Sequence, residues 1–164
     1  MHPDVITFVH HAMKCHGPWR RIVEYASRDV NGSPRGLFPR AQYIGVDPAA
    51  GPGVDVVADA AVYRPPWPPD AILCLEVLEH APNWRLILAN AHATIAQRGV
   101  LVVTCATDPR PSHSSEGGPV RPSEHYANIS PKELFEQVRL RWKEISITVR
   151  PTGDLQLTAR YPIR

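Results

Sequence analysis

A mostly parallel α/β sheet closed by an antiparallel hairpin is the fold class this sequence predicts, and three observations carry it. Tyr43-Ile44-Gly45-Val46, Ala71-Ile72-Leu73-Cys74-Leu75 and Val100-Leu101-Val102-Val103-Thr104 are continuous apolar runs, the pattern of strands covered on both faces. Segments with 3.6-residue apolar spacing alternate with them. Residues 145–149 and 155–160 alternate apolar and polar side chains around Pro151-Thr152-Gly153-Asp154, as in a hairpin.

The elements follow in order. Residues 3–14 place Val5, Phe8, Val9, Ala12 and Met13 on one helical face, and Gly17-Pro18 ends it. Arg21-Ile22-Val23-Glu24-Tyr25-Ala26 reads as a first strand and Tyr43–Val46 as a second, stopped by Asp47-Pro48. Residues 54–57 read as a third, ending at Asp59. Prolines 65, 66, 68 and 69 exclude a helix or an inner strand around Trp67, because proline has no N–H to donate. After the fourth strand, Asn83 is placed to cap a helix carrying Trp84, Ile87, Leu88, Ala91 and Ile95, with Gly99 past its end. Residues 106–129 are a long loop rich in Pro, Ser and Gly, and loops of that length in a small domain usually carry function or are disordered. Ser130-Pro131-Lys132-Glu133 is a capping box that opens a helix to about residue 139.

Length and charge bound the function. One core suits 164 residues, so 1–164 is read as a single domain. Eighteen basic and sixteen acidic side chains leave a net charge of +2, which gives no electrostatic case for nucleic acid. No apolar run approaches the ~18 to 20 residues of a membrane span, and the first residues do not resemble a secretory signal. A cytoplasmic protein is expected. Cys15, Cys74 and Cys105 are far apart with no CxxC pair, so reduced thiols are expected.

Sheets of this kind bind ligands at the carboxyl ends of their strands. Here those ends carry Glu24-Tyr25-Ala26-Ser27-Arg28-Asp29, then Asp47, then Asp59-Ala60, then Glu76. A carboxylate after a second strand can accept hydrogen bonds from a ribose diol.

The succession IVEYAS, YIGVD, DVVADA, ILCLEVLEH and GVLVVTC resembles a class I S-adenosylmethionine-dependent methyltransferase of the broad type 11 group, over residues 20–138. The resemblance implies a Rossmann-like sheet with 20–105 as its cofactor-binding half, and S-adenosyl-L-methionine as cofactor. By position, Glu24, Tyr25, Ala26, Ser27 and Arg28 would form the turn under the methionine part. Asp47 with Pro48 would hold the ribose, Asp59 with Ala60 would border the adenine, and Leu75 with Glu76 would line the reactive side. Two departures stand out. Ala26 and Arg28 occupy the places of the family's glycines, so Arg28 must turn its side chain away or pair with the cofactor's carboxylate. The connections after Asp47 and Asp59 are too short and proline-rich for crossover helices, so helices are reduced on one side, and a homodimer through that under-covered face is one consequence.

Methyl transfer from a sulfonium needs two oriented reactants and sometimes a base. Glu79, His80 and His125 are the catalytic candidates, with Glu76, His113, Glu124 and Tyr126 also within the relevant segments. No metal is expected. The alternative is a cation on Glu76, Glu79, His80 and His125, because E-x-x-E-H with a later His resembles the metal site of small-RNA 2′-O-methyltransferases. His2, His10, His11, His16 and His92 read as surface or packing residues. The expected reaction is methylation of a small-molecule or sugar hydroxyl. A non-catalytic cofactor-binding or scaffolding subunit and a metal-assisted RNA ribose methyltransferase are the other readings. The 106–129 loop is expected to close over the site as a lid.

Overall fold

The apolar runs pair side by side. In the computed structural model, which describes residues 3–164, the strands are β1 (Arg21–Tyr25), β2 (Gln42–Asp47), β3 (Val56–Val57), β4 (Ala71–Leu75), β5 (Val100–Ala106), β6 (Trp142–Val149) and β7 (Asp154–Pro162). His2 lies outside the described residues. One seven-stranded sheet has the order β3-β2-β1-β4-β5-β7-β6. Neighbours from β3 to β5 run parallel, and β7 runs antiparallel to both β5 and β6. Every residue of β4 and β5 is buried, as the unbroken apolar runs require of central strands.

Side chains alternate between two apolar layers with the period of two that a strand imposes. Ile22, Leu73 and Val102 meet helix α1 (Pro3–His16), which buries Val5, Val9 and Ala12. Val23, Ile72, Leu101 and Val103 meet helices α2 (Trp84–Thr94) and α3 (Pro131–Val138) through Ile87, Leu88, Ala91, Leu134 and Val138. The crossovers near the β3 edge are sparse. A single 3₁₀ turn, Pro34–Leu37, joins β1 to β2, and no helix joins β2 to β3 or β3 to β4. Tyr63 and Trp67 from the proline-rich segment pack on the α2 layer where a helix would otherwise lie. The Rossmann-like sheet with thinned helices is as the sequence predicts.

Local details differ. The third strand spans two residues instead of 54–57: at Asp55 the side-chain carboxylate, in place of a backbone carbonyl, accepts from the Gly45 N–H at 2.7 Å and also pairs with Arg35. Asn83 stands at the start of α2 without capping it; its amide donates to Asp59 Oδ2 at 3.3 Å. Ser130 does cap α3, its hydroxyl accepting from the Glu133 N–H at 3.1 Å, while the Glu133 carboxylate turns to Arg85 at 3.0 Å. All three cysteines are free, Cys74 and Cys105 buried within the sheet. Among the described residues, no helix is long and apolar enough to cross a membrane.

Candidate active site

A cavity of about 450 Å³ opens over the carboxyl ends of β1, β2 and β4. The strand ends supply Ala26 and Arg28, then Asp47, then Leu75 and Glu76. His80 enters from the 3₁₀ turn Leu78–His80, and Arg110, His113, Ser114, Ser115 and Gly117 come from the 106–129 loop. Pro3 of α1 and the segment Val30-Asn31-Gly32 complete the wall.

Two strand ends facing this cavity share an uncommon backbone. Ala26 has φ 54° and Glu76 has φ 56°, the left-handed region in which a side chain costs roughly 1–2 kcal/mol. The turn after each strand is thereby sharp enough to aim backbone at the cavity. Strain of this kind concentrates where function requires it.

The Asp47 carboxylate is held from below: Oδ2 accepts from the Arg28 N–H at 3.2 Å and Oδ1 from the Ala49 N–H at 2.9 Å. Each oxygen keeps a further lone pair for a ligand. Arg28 resolves the question of its missing glycine by turning across to the loop, where its guanidinium donates to Glu116 Oε1 at 2.8 Å. Glu76 Oε2 accepts from Arg110 at 2.7 Å, and Arg110 also donates to Asp154 at 2.7 Å, which pins the loop to the β6–β7 hairpin. Glu76 Oε1 is buried and has no hydrogen-bond partner among the described residues, although the residue borders the cavity.

Glu79 is fully buried behind His80. Its Oε1 accepts from the Ala106 N–H at 2.9 Å, and its Oε2 has no hydrogen-bond partner among the described residues. Burial, and then the neighbouring Glu76 charge, push the Glu79 carboxyl above its ordinary range. His80 is lowered by burial and then by His113, which favours its neutral form. The rings of His80, His113 and Tyr126 meet edge to face, with centroids 5.2, 5.4 and 5.0 Å apart. Burial, then Glu79, raise the Tyr126 hydroxyl to about 12. Glu79, His80 and His113 offer one ligand atom each, all within 4.8 Å of one another.

Of the expected cofactor residues, Ala26, Arg28, Asp47, Leu75 and Glu76 line the cavity and six do not. Glu24 is buried, its carboxylate accepting from the Tyr43 hydroxyl at 2.9 Å. Tyr25 belongs to the core, and Ser27 is buried where a side chain on Gly45 would strike it. Pro48 is exposed outside the cavity wall. Asp59 accepts from the Ala61 N–H at 2.8 Å and from Asn83, and Ala60 packs in the α2 layer. His125 is exposed, just after the Arg121–Glu124 turn, and stands apart from the clustered imidazoles. The residue that joins His80 is His113. The expected set also included Glu76, which is tied up with Arg110.

Arg110, Glu116 and Asp154 are not among the site residues that the sequence singles out. Their only signal is opposite charge at separations of 34 to 88 residues, which a sequence does not resolve.

No family model matches the chain, and no curated protein matches it. Solved structures do. The DhpI complex with S-adenosylhomocysteine is 20% identical with a TM-score of 0.72, over 98% of this chain and 86% of that one. The N-methyltransferase NodS from Bradyrhizobium japonicum WM9, in complex with S-adenosyl-l-homocysteine, is 14% identical with a TM-score of 0.68, over 98% and 86%. CalS10, an amino pentose methyltransferase from Micromonospora echinaspora, is 13% identical with a TM-score of 0.69, over 97% and 91%. This chain has the fold of those methyltransferases.

Proposed function

We propose that the protein is a class I S-adenosylmethionine-dependent methyltransferase that acts on a small-molecule acceptor, with a sugar hydroxyl or similar group favoured. The observation that carries this reading is the cavity over β1, β2 and β4, walled by strand-end carboxylates and two left-handed turns, on a sheet of the order 3-2-1-4-5-7-6. Asp47, held by two backbone N–H groups, is placed to accept from the ribose hydroxyls. The partnerless Glu76 Oε1 suits the cofactor's ammonium, and Arg28 suits its carboxylate in exchange for Glu116.

The acceptor approaches from the side of His80 and His113. Methyl transfer is an in-line displacement: the acceptor's lone pair forms the new bond to carbon as the carbon–sulfur pair returns to sulfur. Orientation therefore carries most of the rate, and a neutral imidazole on the acceptor side can take the released proton. His113, Ser114, Ser115 and Gly117 of the loop line the cavity, and closure of the loop over bound ligands would exclude water from it. NodS and CalS10 are named for methylation of nitrogen and of an amino pentose, which is compatible with a small polar acceptor.

Calorimetry with S-adenosylhomocysteine tests the cofactor, and transfer of a labelled methyl group to a panel of small hydroxyl and amino compounds tests the reaction. Absence of binding removes the proposal. Binding without transfer to any small acceptor favours the second reading, a non-catalytic cofactor-binding subunit, for which Ala26 and the Arg28–Glu116 ion pair at the cavity speak. Self-association would use the β3 end, where Val57 and Val62 are 60% and 68% exposed; a monomer at all concentrations in sedimentation removes it.

A further inference from the structure

We propose that Glu79, His80 and His113 form a binding site for one divalent transition-metal cation, Zn²⁺ being the best chemical fit, on the acceptor side of the cavity. The inference rests on the reading above that His80 and His113 face the acceptor.

The first observation is the orphaned oxygen. Glu79 is 0% exposed; its Oε1 accepts from the Ala106 N–H at 2.9 Å, and its Oε2 is buried with no hydrogen-bond partner among the described residues. An unpaired carboxylate oxygen in the interior is costly, and the cost is relieved either by a proton or by a bound cation, which would displace that proton. The Ala106 bond does for this carboxylate what an outer-shell donor does for a metal ligand, fixing its orientation.

The second observation is the pair of imidazoles. His113 Nδ1 lies 3.2 Å from the Pro111 carbonyl oxygen, so the proton belongs on Nδ1 and the Nε2 lone pair is left for coordination. The Tyr126 ring packs edge to face on both imidazoles and limits their rotation. The ligand atoms of all three residues fall within 4.8 Å of one another, close enough for a cation to draw them together by small side-chain adjustments.

Two neutral imidazoles and one carboxylate make an N₂O donor set, which suits Zn²⁺ and Mn²⁺ and serves Mg²⁺ poorly. His80 and His113 line the cavity, so a fourth position opens toward the bound acceptor. An acceptor hydroxyl in that position would lose its proton to solvent more readily, and its oxygen would then take the methyl group as the sulfonium becomes a thioether. In that form His80 and His113 serve as ligands rather than as bases.

Protein stripped with a chelator is titrated with ZnCl₂ by calorimetry, and with CoCl₂ by absorption, in the absence of cofactor. One equivalent should bind at micromolar concentration or tighter, with visible Co²⁺ bands of an imidazole-ligated site. His113→Asn should weaken binding at least ~10-fold and remove those bands, and Glu79→Gln should do the same; His125→Asn should leave both unchanged. His113 sits on the loop, so its variant remains informative if Glu79→Gln fails to fold. No stoichiometric binding, binding indifferent to His113→Asn, or binding abolished by His125→Asn overturns the site. S-adenosylhomocysteine titrated into the metal-free protein reads the cofactor separately, so a failed cation site and a failed methyltransferase reading give different results.

Discussion

Glu24→Gln should change how stability depends on pH, because the wild-type carboxyl is buried where its charge is poorly solvated. Glu24 is 2% exposed at the end of β1, and its strongest partner is the neutral Tyr43 hydroxyl at 2.9 Å. Burial raises its pKa from 4.5 to about 8 against the opposing effect of that hydrogen bond. The nearest guanidinium, Arg35, lies over the Tyr43 ring at 4.6 Å and is already paired with Asp55. An acid whose folded pKa exceeds its unfolded value holds a proton in the native state that the unfolded chain has released. Stability is therefore intact below about pH 4.5, falls as pH rises toward 8, and levels off above it. At 1.36 kcal/mol per pK unit the ceiling is about 5 kcal/mol, and native-state relaxation and water entry should leave roughly 2–4. The glutamine side chain keeps an acceptor for Tyr43 and carries no charge. Urea unfolding at pH 5, 7 and 9 should give nearly equal stabilities at pH 5 and a variant more stable than wild type by about 2–4 kcal/mol at pH 9. The eight histidines titrate alike in both proteins and cancel in the difference. Parallel pH profiles would refute the buried-acid reasoning.

Asp47→Ala should weaken S-adenosylhomocysteine binding by roughly 1.5–3 kcal/mol in calorimetry, the usual worth of hydrogen bonds to a charged group; unchanged affinity in a folded variant removes Asp47 from the ribose. Gly153→Ala should lower stability by about 2 kcal/mol or more in thermal unfolding, because φ is +83° and the new Cβ would lie 2.4 Å from the Arg110 nitrogen and 2.5 Å from the Thr107 oxygen. A melting temperature within ~1 °C of wild type contradicts that packing. Residues 108–124 should exchange amide hydrogens more slowly with S-adenosylhomocysteine plus acceptor than without, and faster in Arg28→Ala, which severs the Glu116 contact. Equal protection in all of these states would make the loop a fixed wall rather than a lid.

How much of this was legible depended on whether a residue's fate is decided locally. β4 and β5 announced themselves because a strand buried on both faces must be apolar throughout, and α1 because Val5, Val9 and Ala12 recur at helical spacing. The acids at strand ends were equally visible, but their roles were not. Asp47 and Asp59 look alike in the sequence, each just past an apolar run. One borders the cavity, while the other is exposed outside its wall, where it accepts from the Ala61 N–H and Asn83. His113 and His125 share a loop whose Pro, Ser and Gly say nothing of its path. That path is set by the turn at Gly117 and Gly118, both at positive φ, and by Glu124 accepting from Ser114 at 2.8 Å. The cavity wall thus depends on contacts between segments far apart in the chain, which periodicity does not register.

The position of β7 bears on how the molecule is made. β6 precedes it in sequence yet pairs with nothing else, and β7 must enter between β5 and β6 to join them. β1 likewise waits for β4, some fifty residues later, for its second neighbour. On the ribosome, β5 therefore emerges with an open edge before the strand that closes it has been synthesised, and the eight-residue β6 leaves the tunnel unpaired just ahead of β7. Pairings this distant make for slow folding. The chain should be most vulnerable to aggregation in the interval before residues 154–162 leave the exit tunnel, and a substitution that slows β7, more than one that merely weakens it, should cost soluble yield.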